Sequence, residues 1–266
     1  MKFALNIGFS RIAIELKQLL RDREATFWTL AFPIVLMVIF GSVFRNQTLG
    51  TSEITFSQYF VAGMIASGML YTSFQNLAIS IPQERDEGAL KRLQGLPMPK
   101  TSYFIGKIGL VFVTFVGQTI VLIITGILFF GIDLPTEPSA WWRFTWISVL
   151  GLVSCTLLGI AFSSVPKSGK GASAVVTPIV LVLQFTSGVF FFFGDLPSWM
   201  QNFASLFPLK WLTQGMRSVF LPPEAAVLEI AGSFESARTA QVLLLWLVIA
   251  AVLATVTFRW NRRGEN

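Results

Sequence analysis

Stretches without Asp, Glu, Lys or Arg alternate along the chain with short charged connectors. Six of these stretches are long: 27–44, 59–81, 108–132, 144–165, 172–194 and 239–258. A bilayer core about 30 Å thick is crossed by about 20 apolar residues in helix. None of the six alternates polar and apolar positions as a barrel strand must. Each therefore predicts a helix, which satisfies its own backbone in lipid. Pro33 and Pro178 fall inside the first and fifth stretches and predict tolerated kinks. Ahead of the first span, Leu5, Phe9, Ile12, Leu16 and Leu19 recur at steps of three and four, with Arg11, Glu15, Gln18 and Asp22 on the other face. That pattern predicts an amphipathic helix over 5–20 lying in the headgroup layer. Residues 1–26 lack the apolar core and small-residue cleavage site of a signal peptide, so an uncleaved start is expected.

Two connectors carry structure of their own. Residues 84–94 predict a short helix, with Glu87 and Lys91 four apart in the favourable order and Gly95, Pro97 and Pro99 ending it. Its acids lead and its bases follow, as the helix dipole prefers. Ala89, Leu90 and Leu93 give it an apolar face too short to span, suited to fitting a cleft on another protein. The second connector, 195–238, is too apolar for a free loop. Pro208 and Lys210 interrupt the only run in it long enough to cross. Two short helices dipping back into the outer leaflet are the expectation.

Composition narrows the class. Of 266 residues, 53% are hydrophobic and 13% charged, against about 25% charged in an ordinary soluble domain. A soluble fold and a disordered chain are both excluded. With no His and one Cys, His-based acid–base chemistry, His metal sites and an internal disulfide are excluded as well. The net charge of +6 is a topology signal. With a cytoplasmic N-terminus, fifteen of the twenty bases fall inside; only Arg45, Arg143, Lys210, Arg217 and Arg238 fall outside. Both termini are then cytoplasmic, in a multi-pass protein of the plasma membrane. The basic excess needs no nucleic-acid partner.

Missing chemistry limits the function. Ser168-Gly169-Lys170 imitates a phosphate loop, but Ser164 stands where its first Gly belongs and Gly171 where Ser or Thr would hold magnesium. The chain therefore has no ATP site and no metal site of its own and is not expected to be an enzyme. The six stretches hold no ionisable side chain, which disfavours ion-gradient coupling. They do hold neutral polar groups, among them Gln75, Asn76, Gln118, Gln184, Thr186 and Ser187. Such groups serve as glue between helices or line a path.

The string from Glu84 to Lys107, ERDEGALKRLQGLPMPKTSYFIGK, resembles the signature of ABC type-2 transporter permeases, in particular the bacterial drug-exporter branch. Glu84, Arg85, Gly88, Leu90, Leu93, Pro97, Gly106 and Lys107 match the family pattern, and Ala89 replaces a common Thr. The resemblance implies an all-α integral membrane fold with six transmembrane helices and both ends inside. It implies that 84–97 is a coupling helix and 195–238 a re-entrant outer segment. The partners it implies are separate nucleotide-binding ATPase subunits, which hold ATP and magnesium, and a second copy of the chain or a related permease. Glu84, Arg85, Gly88, Ala89, Leu90 and Leu93 would meet the ATPase. Gln75, Asn76, Gln184, Thr186 and Ser187, on spans two and five, would line the translocation path, with Phe190–Phe193 crowding its outer end. The implied function is ATP-driven export of a hydrophobic or amphipathic substrate, drug-like or lipid-like. A polysaccharide or lipid-linked sugar exporter and a non-transporting membrane scaffold are the alternatives. The scaffold would copurify with no ATPase.

Overall fold

The computed structural model describes residues 2–21, 23–44, 49, 54–97 and 99–261. Asp22, Arg45, Arg262, Arg263 and the side chain of Leu5 lie outside them. The described residues form helices and no strand: α1 (Lys2–Arg21), α2 (Arg23–Val43), α3 (Phe56–Leu70), a π-helical segment (Tyr71–Gln75), α4 (Asn76–Asp86), α5 (Ala89–Gln94), α6 (Lys100–Phe130), α7 (Pro138–Phe162), α8 (Gly169–Thr186), α9 (Ser198–Ser205), α10 (Pro208–Phe220) and α11 (Ser236–Thr257). Four helical stretches are long and apolar enough to cross a membrane: Thr101–Phe130, Pro138–Phe162, Gly169–Thr186 and Ser236–Thr257. Of the first predicted span, Ala31–Val43 is a shorter apolar helix. The second is a composite rod, in which α3, the π segment and α4 follow one another without a break. Helix runs through Pro33, Pro82 and Pro178.

Three boundaries differ from the expectation, each for a local reason. Helix α6 begins at Lys100 rather than near 108, because Pro99 supplies the extended residue before it and the charged Lys107 is accommodated inside. Helix α8 ends at Thr186 rather than 194, because Gly188 takes a left-handed backbone with φ +73°. The predicted helix over 84–94 is broken in two at Gly88, also left-handed at φ +73°. Glu84 and Arg85 thus belong to the end of α4, while Ala89, Leu90 and Leu93 belong to α5. A side chain at Gly88 would meet nothing within 4 Å, so the glycine is needed for its backbone rather than for a close approach within the chain.

The π segment also has a local cause. Thr72 Oγ1 donates to the Gly68 carbonyl at 2.9 Å, and the Ser73 hydroxyl donates to Met69. These hydroxyls compete for carbonyls one turn back. The Asn76 amide reaches five residues back, to Tyr71. Against this segment lies α7, whose Gly159 approaches the backbone of Phe74.

Packing places two helices at the centre. Helix α3 is buried on nearly every side, and α10 along its whole length. The short α10 wedges between α3 and α7 and touches α11. Helix α4 packs on α8, α7 on α11, and α1 on α6. By contrast α6 and α11 each present an exposed apolar stripe, including Phe112, Val116 and Ile120 on one and Leu245, Val248 and Val252 on the other.

Helix α1 is amphipathic, with Ile12 against Gly109 of α6 and Gln18 exposed, but one residue of its polar face turns inward. Glu15 is buried against α6, whereas Phe9 is 65% exposed and Leu20 faces outward too. The reason is a cation on α6, described below. A Cβ at Gly159 would stand 2.8 Å from the Phe74 carbonyl oxygen, and backbone cannot yield as a side-chain tip can. Gly159→Ala is therefore expected to destabilise the protein by about 1–3 kcal/mol. Gly117→Ala, in a helix with nothing within 4 Å, is expected to be stabilising by up to about 1 kcal/mol. Thermal unfolding of the purified protein in detergent checks both signs.

Candidate functional site

Two features meet at α4. One is a groove of about 800 Å³ between α1, α2, the π segment, α4 and α8. Its apolar walls include Leu19, Phe32, Pro33, Ile79 and Leu181; its polar groups include Tyr71, Thr72, Gln75, Asn76, Ser80, Ser173 and Thr177. The Gln75 Oε1 and Ser80 Oγ atoms are buried and have no hydrogen-bond partner among the described residues. The groove thus takes in Gln75 and Asn76 but none of Gln184, Thr186 and Ser187. Gln184 sits behind it, wholly buried. Its amide donates to Ser67 Oγ at 2.6 Å, and its carbonyl accepts from the Tyr71 hydroxyl at 3.3 Å. Thr186 bonds back to Val182 at 2.9 Å, and Ser187 is buried beyond the end of α8.

Away from α5, rings close this end of the rod. Phe40 lies 5.3 Å from Phe60 and 5.6 Å from Phe190, centroid to centroid, and Phe190 lies 4.9 Å from Phe185. Phe190 is buried, while Phe191 is turned outward.

At the other end α4 is held by ions. The Lys107 ammonium, 1% exposed, donates to Glu15 of α1 at 2.8 Å and also to Glu84 of α4. The Tyr103 hydroxyl donates to the second oxygen of Glu84 at 2.9 Å, and Arg11 pairs with Glu15 at 3.0 Å. Two carboxylates and two cations from three helices therefore share one poorly solvated cluster. Arg85 points elsewhere. Its guanidinium donates to the Ser163 carbonyl after α7 and to the Arg259 carbonyl after α11, each at 3.0 Å. Asp86 accepts from the Gly169 amide at the start of α8, at 2.6 Å. Three consecutive residues of α4 are thus tied to α1, α6, α7, α8 and the segment after α11.

The residues expected to meet a partner are consequently not all on the surface. Leu90 is 0% exposed and packs in the core, and Leu93 is half-buried against it. The exposed part of this region is Glu87, Lys91, Arg92, Gln94 and Leu96. The sequence pattern did not single out Glu15 as a second acceptor for Lys107, or Tyr103 as a donor to Glu84. The available signal was Lys107, the last charge before the charge-free run 108–132.

Replacing Lys107 by Met would leave the half-buried Glu84 without its cation and the buried Glu15 with Arg11 alone. Breaking a buried ion cluster from one side typically costs about 3–5 kcal/mol. Lys107→Met is expected to lower the melting temperature sharply, and adding Glu15→Gln and Glu84→Gln to restore most of it. Thermal melts of the single and triple variants decide this.

Comparison with known proteins bears on the same region. Residues 11–221 match the family of the ABC-2 type transporter. The chain is 24% identical over 200 residues to the inner membrane transport permease YadH of Escherichia coli, covering 73% of this chain and 75% of that protein. It is 26% identical over 194 residues to the putative transport permease ycf38 of Porphyra purpurea, with 71% and 65% coverage. It is also 27% identical over 205 residues to the probable doxorubicin resistance ABC transporter permease protein DrrC of Mycobacterium tuberculosis, with 74% and 70% coverage. ATP binding in such transporters occurs on a separate subunit. The helical chain with its groove and ion-tied α4 therefore belongs to the ABC-2 type transporter family, as a membrane permease subunit without an ATPase domain.

Proposed function

We propose that this chain is the permease of an ATP-driven exporter with six membrane spans, moving a hydrophobic or amphipathic molecule across the plasma membrane. The first span is α2, the second is the α3–π–α4 rod, and α6, α7, α8 and α11 are the rest. The clustered bases support a cytoplasmic side for α5 and both termini, with α9 and α10 in the outer leaflet.

The groove supports a path shared by two copies. The polar groups that Asn76, Ser173 and Thr177 present to the groove are costly against lipid tails, so a second permease is the better cover for this face. The exposed stripes of α6 and α11 carry only apolar groups and suit lipid. Apolar walls with a few polar groups fit a lipophilic substrate. The name of the doxorubicin-resistance relative agrees with that substrate class.

The observation that carries the coupling mechanism is the attachment of α4. A separate ATPase subunit pressing on the exposed side of α5 and on Leu96 would move a short helix joined to α4 through Gly88. Glu84, Arg85 and Asp86 would pass that displacement to α1, α6, α7 and α8 together. ATP closes the motor, the clamp shifts as a unit, and the groove changes the side to which it opens. Glu84 and Arg85 act here as inward ties, and Leu90 as the core anchor of α5.

Leu96, 54% exposed, is the better probe of the partner surface. Leu96→Asp is expected to leave the permease inserted and folded, while substrate-stimulated ATPase of the reconstituted complex falls at least tenfold. Undiminished stimulation would remove this surface from the mechanism. Leu90→Asp is expected instead to lower the melting temperature, since it buries an unpaired carboxylate. Asn76→Trp, which fills the groove, is expected to abolish transport by the same complex.

A further inference from the structure

The end of α8 poses a problem that α10 solves. A helix terminus leaves its last carbonyls without partners, and burial makes that costly. Ser187 is fully buried just after α8, and Gly188 follows in a left-handed conformation. Two side chains of α10 take up their carbonyls. Thr213 Oγ1 donates to Ser187 O at 3.0 Å, and the Arg217 guanidinium donates to Gly188 O.

Arg217 is 1% exposed and does more than cap. Its other nitrogen donates to Glu229 at 3.1 Å, and its guanidinium carbon lies 3.7 Å from the centroid of the Tyr59 ring. The Tyr59 hydroxyl in turn accepts from the Phe193 amide at 3.1 Å. One cation therefore fixes both ends of the turn over residues 187–193: the start directly, and the finish through the tyrosine it stacks on. Phe190 projects from the middle of this turn into the ring cluster with Phe40 and Phe60. Ring packing alone is non-directional and would let the turn slide. Charge-assisted bonds at low dielectric are directional and shorter in reach.

We infer that Arg217 is a positioning residue for the closed outer gate, holding the 187–193 turn so that Phe190 seals the path against Phe40 and Phe60. This rests on the reading of the groove as the path. Opening then requires the bond to Gly188 to lengthen while the pair with Glu229 keeps the cation neutralised.

The single native cysteine makes a test direct. Cys155 is buried on α7 beside Ser73 of the π segment. In a Cys155→Ser background, Ser187→Cys places a small thiol at the gate in place of a hydroxyl that has no partner among the described residues. The permease is purified with its ATPase subunit, placed in nanodiscs without nucleotide, and treated with a charged maleimide. With Arg217 intact, labelling is expected to be slow. Arg217→Gln should accelerate it at least tenfold, and Arg217→Lys should fall between, since an ammonium can serve one acceptor but not the planar fork. Cys155 itself, in the native background carrying Arg217→Gln, should stay unlabelled, which separates gate opening from general loosening.

Equal labelling of Ser187→Cys with and without Arg217→Gln would overturn the inference, and so would simultaneous exposure of Cys155. If Arg217→Gln does not fold, Thr213→Val and Glu229→Gln carry the test, and unchanged labelling in both overturns it. The readout does not depend on transport. Were Asn76→Trp to leave transport intact, the path reading would fail while the labelling result still reported whether Arg217 holds the turn.

Discussion

A single ammonium that cannot reach water organises the end of this protein where α1, α4 and α6 meet. Lys107 is too buried to be solvated, so it must be neutralised by carboxylates brought to it. Glu15 and Glu84 come from different helices, so neutralisation and the meeting of α1, α4 and α6 are one event. Arg11 then supplies the second positive charge, at Glu15, and the Tyr103 hydroxyl donates to Glu84. The inward placement of Glu15 follows: it has a better partner in the Lys107 ammonium than in lipid headgroups, while Phe9 and Leu20 face outward. Glu84 and Arg85 are neighbours on a helix and aim about 100° apart. That divergence lets one turn of α4 reach α6 on one side and the ends of α7 and α11 on the other.

Much of this was legible in the pattern of residues, and the limits are instructive. Long charge-free runs identified the helices because lipid permits few alternatives. The signature from Glu84 to Lys107 identified the family, since its residue types at those spacings are hard to meet by chance. What the pattern could not show was direction. Periodicity placed Glu15 and Phe9 on opposite faces of α1 but could not say which faced protein. That depended on Lys107, ninety-two residues away. Gly88 was visible as a glycine, yet whether it permitted contact or a left-handed turn depended on its backbone. Leu90 read as a surface anchor because a short amphipathic helix in a loop looks alike whether its apolar face meets a partner or its own core. Gln75 and Asn76 do border the groove, whereas Gln184 is spent on Ser67 and Tyr71. Composition does not distinguish an amide that lines a cavity from one that braces its wall.

The two ends of the molecule solve the same electrostatic problem differently. Near α5, ions join separate long helices and their displacement is shared. Near α10, Arg217 is held locally, by Glu229 and a backbone carbonyl. Between them the rod is braced by Ser67, Tyr71 and Gln184 and by the hydroxyls of Thr72 and Ser73.

The π segment adds an angular consequence. One extra residue in a helix advances every later side chain by about 100°. The rod from Phe56 to Asp86 is therefore two helices in different phase, joined at Tyr71–Gln75. Its first half aims Tyr59 and Phe60 at the outer cap; its second aims Glu84 at Lys107 and Arg85 at Ser163. Neither half could satisfy its partners if the other set the phase. Drift in this lineage should thus tolerate exchanges of residue type along the rod more readily than a change in its length, because a lost or gained residue there would rotate one end out of register with everything it holds.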